Sequence, residues 1–146
     1  MSERQDFYTA SPEAVKAQMA VEVAIGKMGL ELSLLELIRL RSSQLNGCAF
    51  CVDMHTTDAR KAGETERRLH AVAVWRETPF FSERERAALA WTEALTLLST
   101  SHAPDADYAL MKAHFSDKEM VNVTLAISSI NSWNRLAVGF RKMPAL

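Results

Sequence analysis

The chain has 146 residues, 48% hydrophobic and 24% charged, which fits one globular domain covering residues 1–146. Its 17 basic and 18 acidic residues give a formal net charge of -1, and no basic run is longer than Arg67-Arg68, so we expect no nucleic-acid partner. The N-terminus is polar and no window approaches about 18 apolar residues, so we expect no membrane attachment and a cytoplasmic protein.

Helix-start signals mark the first part of the chain. Ser11-Pro12-Glu13 combines an N-cap residue with a proline in the first turn, which predicts a helix running to about Gly29. Ser33-Leu34-Leu35-Glu36 has the spacing of a capping box and predicts a second helix, which ends near Asn46. Taken alone, this spacing gives Glu36 a structural role at the helix start.

The third predicted helix carries the two cysteines. Asn46-Gly47 is a breaker pair, and the segment from Cys48 to Ala62 contains no proline or glycine before Gly63. The cysteines therefore open this helix. At such a position the unpaired backbone N–H groups and the helix dipole favour a thiolate, and the pKa of the thiol falls below its usual value of about 8.5.

Further helices follow without a repeat or a long linker, and alternating β patterns are absent. The predicted class is therefore all-α, with about six or seven helices. The last helix is apolar on more than one face, so we expect it to be buried in the core or between subunits of a homo-oligomer. The remaining helices are predicted at about Glu64 to Arg76, after the capping box Ser82–Glu85, at about Pro104 to His114, and after the capping box Ser116–Glu119.

Cys48, Cys51 and His55 would share one face of the third helix, with Cys51 and His55 neighbours across a single turn. Peroxide reduction needs a thiolate, a proton donor for the leaving group, and a second thiol that traps the sulfenic acid. These three residues supply all three groups. Glu36 could orient and charge the imidazole if the neighbouring helix brings it close. The residues alone do not decide which cysteine attacks.

Other interpretations of these residues stay open. Structural zinc needs four ligands, whereas only Cys48, Cys51 and His55 cluster in sequence, so we expect no metal and no cofactor. The cysteines could also be inert buried thiols, and His55 could be an ordinary helix residue.

The same segment resembles the alkylhydroperoxidase AhpD-like group of the carboxymuconolactone decarboxylase superfamily. Its specific part is Glu36, eleven intervening residues, Cys48-x-x-Cys51, and x-x-x-His55. The similarity covers most of the chain from about Gly29 onward. Further similar segments are Val74 to Ala94 and Trp133 to Ala137.

The resemblance implies an all-helical fold, homo-oligomers that are often trimers or hexamers, and thiol peroxidase chemistry. In that scheme Cys51 attacks the hydroperoxide, Cys48 resolves the sulfenic acid, and Glu36 and His55 relay protons. A dithiol donor, such as a lipoyl domain or a thioredoxin-like protein, would recycle the pair. One departure is Phe50, which stands where the best-studied branch has a second histidine, so the relay is shorter here.

Four functional hypotheses follow from the sequence. The first is a thiol peroxidase, and the second is a general disulfide oxidoreductase or redox sensor with little preference for peroxide. The third is a structural or metal-binding helical oligomer. A decarboxylase of the wider superfamily is disfavoured, because those relatives lack the cysteine pair.

Overall fold

The computed structural model describes residues 1–145, and this part contains nine α-helices and one 3-10 helix but no strand. The all-α prediction is confirmed, whereas the predicted count of six or seven helices is too low. The helices are α1 (Phe7–Ala10), α2 (Pro12–Gly26), α3 (Leu32–Leu45), α4 (Ala49–Lys61), α5 (Glu66–Ala71), the 3-10 helix (Val72–Glu77), α6 (Glu83–Thr96), α7 (Leu98–Ser101), α8 (Asp105–His114) and α9 (Asp117–Phe140).

The additional helices arise from short segments and from one kink. Helices α1 and α7 have four residues each, which is too short to produce a periodic pattern. The predicted helix from Glu64 to Arg76 is divided into α5 and the 3-10 helix, and within the latter Val74 leaves the helical region, with φ -127° and ψ 28°. The next residue, Trp75, is buried and its Nε1 donates to Glu93 at 2.8 Å. This contact with a distant helix is invisible to local periodicity.

Two of the three predicted capping boxes are present. Ser82 with Glu85 caps α6, and Ser116 with Glu119 caps α9, each through both reciprocal hydrogen bonds. The box predicted at Ser33 is wrong: the N-cap residue of α3 is Glu31, two residues earlier, and it makes no side-chain cap. The carboxylate of Glu36 has other partners, described below.

Helix α3 lies at the centre of the fold and packs against α4, α6 and α9. Three of its side chains, Leu37, Ile38 and Leu40, are fully buried, and they divide between two apolar clusters. One cluster joins α3 to α2, α6, α8 and α9, and the other joins it to α4, α5, the 3-10 helix and α6. Core packing therefore holds α3 on both sides.

Helix α9 buries its apolar side chains within the same chain. Val123, Ile127 and Ile130 are buried in the core, while Val121 and Val138 are exposed. Burial of this helix in the core is therefore confirmed. Less of its apolar surface is left over than the sequence pattern suggests, and the homo-oligomer stays a prediction.

Polar residues of α9 bond to the end of α3. Asn46, the C-cap residue of α3, donates from Nδ2 to the side-chain oxygens of Asn131 at 3.0 Å and Asn134 at 2.9 Å. Asn134 also donates to Oγ of Ser43 at 3.0 Å. The buried amides of Asn131 and Asn134 thus find their partners at the C-terminal end of α3. Gly47, at φ +65°, then turns the chain into α4.

No helix within residues 1–145 combines the length and the apolar character needed to cross a membrane.

Candidate active site

The two cysteines lie at the start of α4 and form a disulfide, with a Cα–Cα distance of 5.3 Å. Cys48 is the N-cap residue, and its Sγ accepts a hydrogen bond from the backbone N–H of Cys51 at 3.3 Å. Both side chains are 2% exposed and pack with Phe50 and with Ala137 of α9. The sulfurs are thus held between two helices.

His55 lies one turn after Cys51 and pairs with Glu36 across the α3–α4 contact. The distance between Nδ1 of His55 and Oε2 of Glu36 is 2.9 Å, and both residues are buried. Burial alone raises the pKa of the Glu36 carboxyl, but the hydrogen bonds and charges of His55 and Arg39 outweigh it. The pKa of Glu36 therefore lies below its ordinary value, and the group is a carboxylate at neutral pH.

An ionised Glu36 determines which imidazole nitrogen can act as a base. A carboxylate accepts hydrogen bonds, so Nδ1 of His55 must carry the proton that joins it to Glu36. In the neutral ring Nε2 is then unprotonated. The pair provides a base whose tautomer is set by a buried charge, which is the nucleophile, base and orienter arrangement expected from the sequence.

Arg39 connects this pair to helix α2. Its guanidinium donates to Oε1 of Glu36 at 2.7 Å and to Oε2 of Glu22 at 2.9 Å. The sequence analysis missed both Arg39 and Glu22. Arg39 lies three residues after Glu36 on one helix face, which was an available signal. The contact with Glu22 joins residues 17 positions apart, and no local pattern indicates it.

A cavity of about 280 Å³ opens beside these groups. It brings together three predicted site residues, Glu36, Cys51 and His55, whereas Cys48 is not among the described residues that line it. Exposed Tyr8 and Met19 carry the lining to the surface. The remaining lining is mostly apolar and comprises Phe7, Glu22, Arg39, Phe50, Met54, Asp58, Ile130, Trp133 and Ala137.

Among residues 1–145, no group of three or more His, Cys, Asp or Glu side chains is arranged to hold a metal ion. His70, which lies in the apolar segment Leu69 to Trp75, is not a core residue, because its side chain is 82% exposed.

Comparisons with known proteins identify the family of this chain. The model of the carboxymuconolactone decarboxylase family matches residues 12–94. YdfG of Bacillus subtilis (strain 168), an uncharacterized protein, is 42% identical over 138 residues, which cover 94% of each chain.

Two solved structures share the fold. One is a protein of unknown function from Agrobacterium tumefaciens, also described as a candidate antioxidant defence protein AhpD. It is 47% identical, covers 99% of both chains and has a TM-score of 0.97. The apo debrominase Bmp8 has a TM-score of 0.85 at 20% identity, over 94% of this chain and 74% of its own, and this likeness concerns the fold alone. Since the family model spans more than half of the chain, the protein belongs to the carboxymuconolactone decarboxylase family and is AhpD-like within it.

Proposed function

We propose that the protein is a thiol-dependent peroxidase that reduces hydroperoxides through Cys48 and Cys51. The observation that carries this proposal is the cavity in which Cys51 lies beside the ionised Glu36 and its partner His55. Family membership and the cysteine pair point to a redox role. The cavity geometry favours a small oxidant as the substrate.

The first step oxidises Cys51. In the reduced protein the Cys51 thiol gives its proton to Nε2 of His55, and the thiolate attacks one oxygen of the hydroperoxide. The O–O bond breaks, a sulfenic acid forms on Cys51, and the alkoxide leaves as an alcohol after taking the proton from His55. Glu36 stabilises the imidazolium that exists between these two proton transfers.

The second step closes the disulfide. Cys48 attacks the Cys51 sulfenic acid, the S–S bond forms, and water leaves. The Cys48–Cys51 disulfide is the oxidised end of this cycle. An external dithiol then reduces it and becomes a disulfide itself. Cys48 is suited to the resolving role because it lies next to Cys51 but outside the cavity lining.

A general disulfide oxidoreductase is the second candidate, but the burial of the sulfurs argues against it. Exchange with protein disulfides requires a thiol that a large partner can reach. Here both cysteines are 2% exposed, and the cavity beside Cys51 is about 280 Å³. A hydroperoxide is small enough to enter this cavity. For the electron donor, a lipoyl group on a slender arm fits it better than the face of a thioredoxin-like protein.

The rest of the proposal follows the family resemblance. We expect a homo-oligomer, a trimer or hexamer, that works in the cytoplasm. Light scattering of the purified protein at micromolar concentration tests the assembly, and a monomer there would contradict it.

The test of function uses the reduced, purified protein and an organic hydroperoxide. We expect stoichiometric loss of both thiols, with a product lighter by two hydrogens. Cys51→Ser should abolish consumption, whereas Cys48→Ser should allow one turnover that ends in a trapped or overoxidised sulfenic acid. With a dithiol donor present, His55→Gln should slow turnover by at least about 100-fold, the usual contribution of a general base.

His70→Gln is the matched control, since it removes an exposed histidine and should leave the rate unchanged. Thiols that survive excess peroxide would refute the peroxidase proposal. Rapid loss of thiols to small disulfides but not to peroxide would favour the general oxidoreductase instead.

A further inference from the structure

Four ionisable side chains form a continuous series of contacts that ends at the proposed base. Glu22 of α2 contacts Arg39 of α3 at 2.9 Å, Arg39 contacts Glu36 at 2.7 Å, and Glu36 contacts His55 of α4 at 2.9 Å. Each Glu36 oxygen has one of these partners, Oε1 on Arg39 and Oε2 on His55. The rotation of this carboxylate is therefore fixed from both sides.

The outer end of this series is anchored on α9. Glu22 Oε1 accepts from Ser129 Oγ and from Trp133 Nε1, the latter at 3.2 Å. Gln18 strengthens the anchor by donating to Ser129 Oγ at 2.8 Å. Because Glu22 is held by groups of another helix, the guanidinium of Arg39 has a fixed attachment point on the side away from His55.

Arg39 also separates two carboxylates. If the Arg39 charge were removed, no cation would lie between Glu22 and Glu36. The buried Glu36 would then be harder to keep ionised. Helix α9 contributes no ionisable side chain to the cavity. The other ionisable groups that face the cavity or Glu36 are Tyr8 from α1, Asp58 from α4, and Glu64, which lines a smaller cavity next to Glu36 and pairs with Arg68.

We propose that Arg39 is a positioning residue that uses its two-armed guanidinium, braced on Glu22, to hold Glu36 against His55. A lysine could not do the same, because its single ammonium cannot bond both carboxylates in the fork geometry of arginine. This inference rests on the proposed role of His55 as the base for Cys51. It adds a residue whose side-chain hydrogen bonds go to Glu36 and Glu22 and which acts on His55 through Glu36.

Arg41, two residues further along α3, provides a matched control. Arg41 has the same exposure as Arg39, 14% of its side chain, and it also pairs with a half-buried glutamate, Glu93, at 2.8 Å. It does not line the cavity. Arg39→Met and Arg41→Met thus remove equivalent charges while keeping an apolar stem, and only the first removes a contact with Glu36.

The experiment measures alkylation of reduced Cys51 by iodoacetamide as a function of pH, with fragment mass spectrometry to distinguish it from Cys48. This readout needs no peroxide. We expect Arg39→Met to raise the pH midpoint by about half a unit to one unit, equivalent to a three- to tenfold loss of thiolate below the midpoint. Arg39→Lys should shift it by less, and Arg41→Met should leave it unchanged.

Equal midpoints in Arg39→Met and Arg41→Met would overturn the proposal. If Arg39→Met does not fold, an unshifted midpoint in Arg39→Lys would overturn it as well. The outcome is separable from the proposed function. A shifted midpoint in a protein without peroxidase activity would support the role of Arg39 and refute the peroxidase, and active enzyme with no shift would do the reverse.

Discussion

Glu36 is a buried carboxylate and Glu93 a half-buried one, and each pairs with an arginine of α3, but the two sites differ in what they can do. In both, burial raises the pKa, and hydrogen-bonded donors lower it further than burial raises it. Glu93 is surrounded by Arg41, Arg76 and Trp75, whose protons stay in place at physiological pH. Glu36 faces His55, whose second ring nitrogen can accept a proton and pass it on.

A buried ion cluster becomes a candidate for catalysis through the chemistry of one partner. Strength of pairing does not distinguish the two sites. What distinguishes them is a partner with an exchangeable proton and a cavity that gives access to it.

The largest expected effect concerns the proposed relay. Glu36→Gln and His55→Gln should each lower peroxidase turnover, the latter by at least about 100-fold, and the double variant should be little worse than the worse single one. Residues that act as one unit are not additive. Initial rates at saturating donor measure this. Losses that multiply in the double variant would show that the two residues act separately.

The second prediction concerns the same glutamate-to-glutamine substitution at Glu93. Glu93→Gln should leave turnover within about twofold of wild type but destabilise the fold by about 1–3 kcal/mol, because three donors lose their charged acceptor. Urea denaturation gives the free energy of unfolding. A folded Glu93→Gln protein that had lost most of its turnover would erase the distinction between the clusters.

The third prediction concerns acid. The pKa of Glu93 is lowered from 4.5, so its contribution to stability is present above that pH and is lost as pH falls through the folded-state value. The stability gap between wild type and Glu93→Gln should therefore shrink as the pH falls below 4.5. Denaturant titrations on both sides of this pH test it. A gap that widens in acid would mean that the sign is wrong.

The smallest effect on turnover is expected at Glu22, which is separated from His55 by Arg39 and Glu36. Glu22→Gln keeps an oxygen for Arg39, Ser129 and Trp133 but removes a charge, so we expect a two- to threefold decrease in turnover, about 0.5 kcal/mol. Stopped-flow peroxide consumption can resolve such a change. A decrease as large as that of His55→Gln would place Glu22 within the proton pathway.

Local signals in the sequence predict the fold where short-range bonds decide it. The caps of α6 and α9 could be read from Ser82 and Ser116, and the break between α3 and α4 from Gly47. The capping box predicted at Ser33 does not form. There Glu36 has a stronger alternative in His55 and Arg39, and tertiary contacts override the local preference.

In the candidate site, too, local spacing predicts some residues, and others depend on how the helices pack. The spacing of Cys48, Cys51 and His55 on one helix already implies their proximity, and the resemblance adds Glu36 from the preceding helix. Glu22 could not be found in this way, because its contact with Arg39 depends on how α2 packs beside α3. Equally, nothing in the sequence of α3 separates Arg39 from Arg41; only the packing of their partners does.

The short connection between α3 and α4 sets the phase of one helix relative to the other. Asn46, Gly47 and Cys48 lie between Leu45 and Ala49, and the asparagines of α9 hold the first of them. Each residue of an α-helix advances the direction of its side chains by about 100°. One inserted or deleted residue in this connection would therefore turn Cys51 and His55 together by more than a quarter of a circle, away from Glu36. The length of this loop is as much a part of the site as the side chains.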